Sequence, residues 1–259
     1  MKKLGLALGS GGSRGIAHIG FLQALEEAEI RPYCISGCSM GSVVGAAYAS
    51  GMTPSDMRRA ACSLRFLDLV DITRKPGGVL DTRKMKALLT RYIGDKDFSE
   101  LKIPFSCVAV DMIKQEVVEF SSGKVVEAVA ASSAIPSVFK PIEADGMRLV
   151  DGGILRRVPV EEVRRMDPDV VIAVDVLAER STKDRCPNVF VVMAEVIDIM
   201  DNARTKAYKQ KMRKKYDLWL EPDLGNMSQY SFKHLNFAYE QGYEMGRKNI
   251  EKIRALLKD

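Results

Sequence analysis

Short apolar runs alternate along this chain with amphipathic stretches of helical spacing. Leu4–Leu8 is an apolar run of strand length, and from about Ile16 to Ala28 apolar residues recur at the interval of one helix face. The same pattern predicts further strands at Tyr33–Ser36, Phe105–Asp111, Gln115–Phe120, Arg148–Val150, Val170–Val176, Val189–Met193 and Asp217–Glu221. It predicts further helices at Met40–Ser50, Thr53–Leu67, Thr82–Ile93, Ser122–Ala131, Ala194–Tyr216 and Ser231–Leu257, with a loop over Asp71–Asp81.

Strands that alternate with helices are typical of an α/β domain. We therefore expect a three-layer α/β/α sandwich around a mostly parallel sheet. No linker, repeat or low-complexity segment divides the 259 residues, which predicts one domain. Its motif-bearing core extends over about residues 4–180, and a helical extension follows over about residues 194–259.

Composition fits an ordinary globular protein, with 46% apolar and 28% charged residues. The 39 basic and 34 acidic residues leave a net charge of +5, which suits an anionic surface, but no nucleic-acid-binding motif accompanies it. Nowhere do 18 apolar residues follow one another, and the apolar run after Met1 ends by Gly9, too early for a signal peptide. We therefore expect a cytoplasmic protein without a nucleic-acid partner.

Metal-binding signals are weak. The five cysteines include no CxxC pair, which favours reduced thiols over disulfides, and two histidines without ligand spacing argue against zinc. No acidic loop has calcium-ligand spacing. We expect neither a metal nor an organic cofactor.

The pentapeptide Gly37–Gly41 has the form Gly-x-Ser-x-Gly and lies between a predicted strand and a small-residue helix. A serine on such a sharp turn is exposed to substrate, and the glycines Gly37 and Gly41 leave room for neighbouring backbone. Ser39 is therefore a candidate nucleophile. The pentapeptide alone is common by chance.

A glycine-rich loop, Gly9–Gly15, follows the first strand. A dinucleotide-binding fingerprint needs glycine at its sixth position, where this chain has Arg14, and no Gly-Lys-Ser/Thr of a P-loop follows. The loop still presents backbone N–H groups at the start of a helix, which is an anion site. The loop is either a tight turn that needs glycine for structural reasons or an oxyanion hole, and only the second interpretation gives it a catalytic function.

Asp151–Gly153 follows another predicted strand. An Asp-Gly-Gly sequence is by itself usually a turn. Together with a serine elbow, however, a partly buried carboxylate can act as a general base, because burial raises its pKa toward neutrality.

These three blocks, in this order and spacing, resemble the patatin-like phospholipase family. The segment Ala131–Pro136, followed by Phe139 and Pro141, also resembles the family's block before the catalytic aspartate. The resemblance covers about residues 4–180.

The resemblance implies a Ser–Asp dyad without a histidine. By position, Ser39 is the nucleophile and Asp151 the base. The backbone amides of Gly11, Gly12 and Ser13 form the oxyanion hole, Arg14 braces the glycine loop, and Gly37, Gly41, Gly152 and Gly153 support the two catalytic turns. The implied activity is hydrolysis of a carboxylic ester in a lipid, a phospholipid or lysophospholipid, through an acyl-enzyme.

A histidine-dependent triad competes with the dyad. An α/β-hydrolase triad would use Ser39, Asp151 and His234 in that order, although His234 lies where the last helix is predicted to begin. His18, one turn after the glycine loop, is interpreted as a structural hydrogen-bonding residue. Acyl transfer through the same acyl-enzyme and a non-catalytic lipid-binding role are also open. The oligomeric state is not indicated by the sequence.

Two further stretches have two interpretations each. Residues 204–216 carry seven cations and no acid, and form either a solvated surface or a contact with an anionic membrane. An apolar stripe would lead into it, formed by Val192, Val196, Ile199, Met200 and Ala203. The helix-spaced set Met85, Leu88, Leu89 and Ile93 is interpreted as facing the core rather than forming a lid.

Overall fold

A computed structural model describes residues 2–63, 80–136, 138–177 and 189–258 of the chain. Its strands are β1 (Leu4–Leu8), β2 (Cys34–Cys38), β3 (Phe105–Asp111), β4 (Glu116–Phe120), β5 (Ile142–Ala144), β6 (Met147–Asp151), β7 (Val170–Val174) and β8 (Leu218–Leu220). Its α-helices are α1 (Ala17–Glu27), α2 (Met40–Ser50), α3 (Pro54–Ser63), α4 (Arg83–Ile93), α5 (Val125–Ser132), α6 (Val160–Arg165), α7 (Val189–Lys211) and α8 (Leu235–Leu257). Short 3₁₀ turns lie at Gly12–Ile16, Phe98–Glu100, Gly152–Ile154 and Phe232–His234.

The eight strands form one mixed sheet in the order β5-β6-β3-β2-β1-β7-β8, with β4 also paired to β3. The pairs β1–β2, β1–β7, β2–β3 and β7–β8 are parallel, whereas the three pairs that involve β4, β5 and β6 are antiparallel. The sheet is therefore parallel in its centre and antiparallel at one side. This agrees with the expected α/β/α architecture.

Strand β1 shows why the sheet has helices on both faces. Its residues Leu4, Leu6 and Leu8 are buried in the larger core with α1, α2, α5 and α8. Ala7 points to the other face, where a smaller core contains Val160 and Val163 of α6 and Met212 just after α7. Side chains alternate along a strand, so a strand that is apolar at every position is covered on both sides.

The strand β3 brings two other strands together end to end. Its edge opposite β4 pairs with β2 up to Cys38↔Val108 and then with β6 from Ala109↔Asp151. Because Val108 and Ala109 are neighbours on β3, the last residues of β2 and β6 meet at the same point of the sheet. Ser39 and Asp151 are thereby placed beside each other.

Most predicted elements agree with the structure within a few residues, but one strand prediction was wrong. Val189–Met193 lies in α7 rather than in a buried parallel strand. The place beside β7 is taken by β8, whose Trp219 is in register with Ala173. A short apolar run has no periodicity that separates strand from helix, and here the run forms the first turns of a 23-residue helix.

One strand and one α-helix, β5 and α6, were not predicted, and β2 continues two residues beyond its predicted end, to Cys38. The end of the predicted helix Thr53–Leu67 and most of the predicted loop Asp71–Asp81 lie outside the described residues, as does Cys186. The other four cysteines are free thiols, three of them buried. Within the described residues, no helix has both the length and the apolar character needed to cross a membrane.

Candidate active site

Ser39 occupies a strained turn between β2 and α2. Its φ of 51° and ψ of −123° lie in a region that residues with a side chain rarely adopt. The turn passes close to β1, because a Cβ added at Gly41 would lie 2.2 Å from the Leu8 carbonyl oxygen and 2.6 Å from that of Gly9. Only glycine allows this approach, which sets the serine elbow directly against the glycine loop.

The Ser39 hydroxyl donates a hydrogen bond to Asp151. The Oγ–Oδ2 distance is 2.6 Å, and both side chains are buried. The second carboxylate oxygen, Oδ1, accepts the Gly153 N–H at 2.7 Å. The two carboxylate oxygens thus have separate partners, and the one that faces Ser39 is held in orientation by the Asp-Gly-Gly turn itself.

Burial raises the pKa of Asp151 from its ordinary 3.8 to about 6. The hydrogen bonds from Ser39 and Gly153 lower this pKa, whereas the negative charge of Asp201 raises it. A carboxylate with a pKa near 6 is still ionised at neutral pH and is a stronger base than an exposed aspartate.

The glycine loop enters a 3₁₀ turn at Gly12, which has a φ of +50°. A Cβ at Gly12 would lie 2.3 Å from the Gln229 carbonyl oxygen, so a side chain is excluded there. Within the described residues, the N–H groups of Gly11 and Gly12 donate to no carbonyl. Ser13 differs, because its N–H donates to the Gln229 carbonyl at 2.9 Å. The expectation that Ser13 supplies a third oxyanion donor therefore needs correction: its amide is already occupied.

Arg14 and His18 both hold the glycine loop. The buried Arg14 donates from Nε to the Val176 carbonyl at 2.6 Å and from Nη1 to that of Met227 at 3.3 Å. These contacts join the glycine loop to the segment after β7 and to the segment before α8. His18 Nε2 lies 2.8 Å from the Gly9 carbonyl oxygen, and burial lowers the pKa of His18 to about 4, so the ring is neutral and donates.

The other histidine, His234, is exposed at the start of α8. The Ser39 hydroxyl bonds to a carboxylate rather than to an imidazole. The geometry therefore brings together Ser39 and Asp151 and leaves His234 outside the site.

A largely apolar cavity of about 210 Å³ leads away from Ser39. Its walls come from the glycine loop, α2, α3, α4 and the segment after α5. Met85 and Leu89 of α4, from the predicted apolar stripe, are buried side chains that line it. Val43 and Ala47 also line it, one and two helical turns along α2 from the nucleophile.

Several residues of the site were missed at the level of sequence. The Ser39 N–H donates to Ser132 Oγ at 3.0 Å, which gives a role to the serine pair before Asp151. Arg204 was grouped with the basic run, but its Nη2 donates to the Gly153 carbonyl at 2.7 Å. Arg157 and Asp201 form an ion pair at 3.1 Å behind the same turn. No periodicity marks such single contacts, which depend on the packing of α7.

The rest of residues 204–216 is mixed in its contacts. Lys209 pairs with Glu221 and Lys215 lies 3.5 Å from Glu161, and five of the cations are exposed to solvent. These are Lys206, Lys211, Arg213, Lys214 and Lys215. Upstream on α7, Val192, Val196, Ile199 and Met200 are exposed, as the apolar stripe requires, and Ile199 and Met200 are each 67% exposed.

The sequence of this chain is similar to a known protein family and to several of its members. A sequence model of the patatin-like phospholipase family matches residues 6–164. An uncharacterized NTE family protein of Mycobacterium tuberculosis is 36% identical over 191 residues, which are 72% of this chain and 53% of that protein. Lysophospholipase nte1 of Aspergillus fumigatus is 32% identical over 197 residues, 73% of this chain and 13% of that protein. The chain thus spans about half of the first relative and a small part of the second.

Two solved structures share the fold. VipD from Legionella pneumophila superposes with a TM-score of 0.64 at 15% identity, over 97% of this chain and 67% of that one. The type III effector protein ExoU superposes with a TM-score of 0.54 at 14% identity, over 97% of this chain and 53% of that one. At these identities the likeness concerns the fold.

Proposed function

The chain belongs to the patatin-like phospholipase family, and we propose that it is a serine acyl hydrolase that cleaves carboxylic esters of lipids. The single observation that carries this proposal is the 2.6 Å hydrogen bond from Ser39 Oγ to Asp151 Oδ2 at the end of an apolar cavity. A hydroxyl bonded to a carboxylate of raised pKa is an activated nucleophile.

The first half of the reaction forms an acyl-enzyme. Ser39 Oγ attacks the acyl carbonyl carbon while its proton passes to Asp151 Oδ2. The carbonyl oxygen becomes an oxyanion that the Gly11 and Gly12 amides stabilise, and each such donor contributes about 3 kcal/mol to transition-state stabilisation. The C–O bond to the alcohol then breaks, and the alcohol oxygen takes the proton back from Asp151.

The second half is the same chemistry with water. Asp151 accepts a proton from water as the water oxygen attacks the acyl carbonyl, and the oxyanion returns to the same amides. The ester bond to Ser39 Oγ breaks, and Asp151 returns its proton to Oγ. The fatty acid leaves and the free enzyme is regenerated without a cofactor.

The cavity favours a substrate with one acyl chain in the site. It is largely apolar and about 210 Å³ in volume. Pockets of this kind bind aliphatic groups through burial of apolar surface. The name of the Aspergillus relative, a lysophospholipase, supports the same substrate class. We therefore propose an acyl ester of a phospholipid or, preferentially, a lysophospholipid.

The test compares wild type with Ser39→Ala on short-chain esters, lysophospholipids and diacylphospholipids. A fluorophosphonate probe is used in parallel, because it labels activated serines. Ser39-dependent labelling together with hydrolysis of single-chain lipids supports the proposal. A folded protein that never labels at Ser39 contradicts it and favours a lipid-binding role.

A peripheral contact with an anionic membrane is also proposed. Asp201 and Arg204 of α7 contact the loops beside Asp151, so the turn of α7 that directly precedes Asp201 lies near the site. Ile199 and Met200 in this turn are exposed, and so, by more than one third, are Ile154 and Leu155, which directly follow Gly153. Apolar residues beside exposed cations are what an anionic interface binds.

Vesicle flotation tests this contact. We expect the protein to bind anionic vesicles more strongly than zwitterionic ones, and Ile199→Ser with Met200→Ser to reduce binding without changing hydrolysis of a water-soluble ester. Equal weak binding of wild type to both kinds of vesicle would reject the contact. Lys211→Gln with Lys214→Gln separates the charge contribution from the apolar one.

A further inference from the structure

Two arginines and two aspartates form a cluster behind the turn that carries Asp151, in which Arg157 and Asp175 are buried and Asp201 and Arg204 are partly buried. Arg157 Nη1 lies 3.1 Å from Asp201 Oδ2, and Arg157 Nε lies 3.6 Å from Asp175 Oδ2. Arg204 forms an ion pair with Asp201. The Arg157 and Asp175 side chains are each only 4% exposed. Two cations therefore balance two anions in a place where an unpaired charge would be costly.

The cluster is joined to both catalytic loops by hydrogen bonds. Arg204 Nη2 donates to the Gly153 carbonyl at 2.7 Å, and the N–H of the same Gly153 donates to Asp151 Oδ1 at 2.7 Å. The Arg157 carbonyl accepts the N–H of Ser10 in the glycine loop at 2.9 Å. Short stretches of α7 and of the loop after β6 thus fix the position of Asp151 relative to the glycine loop.

Helix α7 supplies a second hydrogen-bonding partner for Arg157. Asn202 Oδ1 accepts from Arg157 Nη1 at 2.8 Å and from Nη2 at 3.0 Å. Asp201 and Asn202, adjacent on α7, therefore hold the guanidinium from two directions. A guanidinium bound by several acceptors has little rotational freedom, which makes its main chain a firm support for Ser10.

The charges around Asp151 come from few groups. The Ser39 hydroxyl and the Gly153 N–H bond to it directly. The Cys38 thiol beside it stays neutral, because burial raises the pKa of Cys38 well above its usual range. Asp201 is the charged group that raises the pKa of Asp151, and its own charge is offset by Arg157 and Arg204.

We infer that Asp201 and Arg204 are positioning residues of the Ser39–Asp151 dyad, which fix the Gly153 turn and set the electrostatic balance beside the base. This inference rests on the proposed role of Asp151 as the base. A purely structural pair would affect stability and the amount of active enzyme. A pair that sets the charge beside Asp151 also moves the pH at which the enzyme becomes active.

The test uses two substitutions with opposite electrostatic consequences. Asp201→Asn removes an anion near Asp151, which lowers the pKa of Asp151. The acid limb of the pH profile of kcat/KM, where activity falls as Asp151 is protonated, therefore shifts to lower pH. Arg204→Met leaves Asp201 without its closest cation, so the limb shifts to higher pH, and kcat falls because Gly153 loses its donor. Each shift is expected to reach at least about 0.5 pH unit at the effective dielectric of partly buried sites.

Hydrolysis of a water-soluble short-chain ester gives the pH profile, and the rate of fluorophosphonate labelling of Ser39 gives a second one. Lys206→Met, which removes an exposed cation two residues further along α7, is the matched control and keeps the wild-type profile. Arg204→Lys keeps the charge and places the limb near that of wild type. The double variant Asp201→Asn/Arg204→Met removes one charge of each sign and returns the acid limb toward that of wild type. Where one single variant does not fold, the shift of the other single variant and its reversal in the double variant still test the inference.

An active wild type whose two charge variants keep the same acid limb, or shift it in the same direction, overturns the inference alone. A wild type that neither labels at Ser39 nor hydrolyses any ester overturns the proposed function and this inference with it. Thermal unfolding of each variant shows that the folded protein is compared.

Discussion

Ser39 Oγ lies 2.6 Å from Asp151 Oδ2, although 112 residues separate them in the chain. The contact follows from the sheet, because β2 ends opposite Val108 and β6 ends opposite the next residue of β3, Ala109. Two strands that run toward each other along one edge necessarily bring their last residues together. Ser39 and Asp151 are therefore held together by the pairing of the strands that precede them.

Removal of either member of the dyad is expected to abolish activity. Ser39→Ala and Asp151→Asn should each lower kcat/KM for lipid and short-chain esters by at least about 10³-fold, because residues that act as one unit fail together. His234→Ala, which changes the exposed second histidine, should leave kcat/KM near wild type. Loss of activity in His234→Ala with retention in Asp151→Asn would contradict the dyad.

The pH dependence of kcat/KM should report the titration of Asp151. Burial raises the pKa of Asp151 to about 6, and only the ionised carboxylate accepts the Ser39 proton. Below about pH 6, kcat/KM for a water-soluble ester should therefore fall about tenfold per pH unit, and above it the profile should be flat. An acid limb near pH 4 would show that burial does not tune this carboxylate.

Asp151 is expected to destabilise the fold at neutral pH. Its pKa is about 6 in the folded chain against 3.8 unfolded, so the folded state binds the proton more tightly and stability rises as pH falls through 6. The loss in free energy of unfolding is therefore complete above about pH 6 and absent below the pKa that Asp151 has in the unfolded chain. Asp151→Asn should then add up to about 3 kcal/mol to the free energy of unfolding at pH 7.5.

Denaturant unfolding of wild type and Asp151→Asn at pH 7.5 and at pH 4 checks this. The difference should be present in full at the first pH and should fall to about 0.5 kcal/mol at the second. Ser39→Ala is the control, because it leaves the carboxylate charged. A variant that is less stable than wild type at both pH values would speak against the assignment.

The depth of the apolar cavity should set the acyl-chain preference. Ala47 lines the cavity two helical turns, about 12 Å, from Ser39. Ala47→Phe should therefore obstruct long acyl chains and spare acetyl and butyryl esters, so the ratio of kcat/KM for decanoyl to butyryl esters should fall at least about tenfold. Val43→Phe, one turn nearer, should also impair butyryl esters.

Fluorophosphonate labelling with a small probe serves as the control for both variants. It should persist in Ala47→Phe, since the nucleophile is not blocked. An unchanged chain-length profile in a folded Ala47→Phe would mean that the acyl chain binds elsewhere.

A side chain at Gly12 should disable the oxyanion loop. Gly12 has a φ of +50°, and an added Cβ would lie 2.3 Å from the Gln229 carbonyl oxygen, which forces the loop to move. Gly123 also has a positive φ, of +78°, but nothing lies within 4 Å of a Cβ there. Gly12→Ala should lower kcat by at least about 10²-fold, whereas Gly123→Ala should cost only about 1 kcal/mol of stability. Similar kinetic losses in both variants would refute the loop assignment.

The sequence by itself determined the local structure and the chemical groups. Alternating apolar runs and helix-spaced stretches predicted most strands and helices within a few residues, because burial of each element depends on its own periodicity. The three motif blocks also made Ser39, Asp151 and the glycine loop the candidate site residues. Hydrophobic periodicity and motif spacing are both properties of a short stretch of sequence, so they can be recognised without knowledge of the tertiary structure.

Tertiary structure decided what depends on distant partners. Only the pairing of β2 and β6 along β3 brings Ser39 to Asp151, and only the packing of α7 takes Arg204 from a basic run into a hydrogen bond with Gly153. The Ser13 amide is occupied because Gln229, more than 200 residues later, folds back onto it. Hydrogen bonds and ion pairs between remote segments form through space, so no local pattern encodes them.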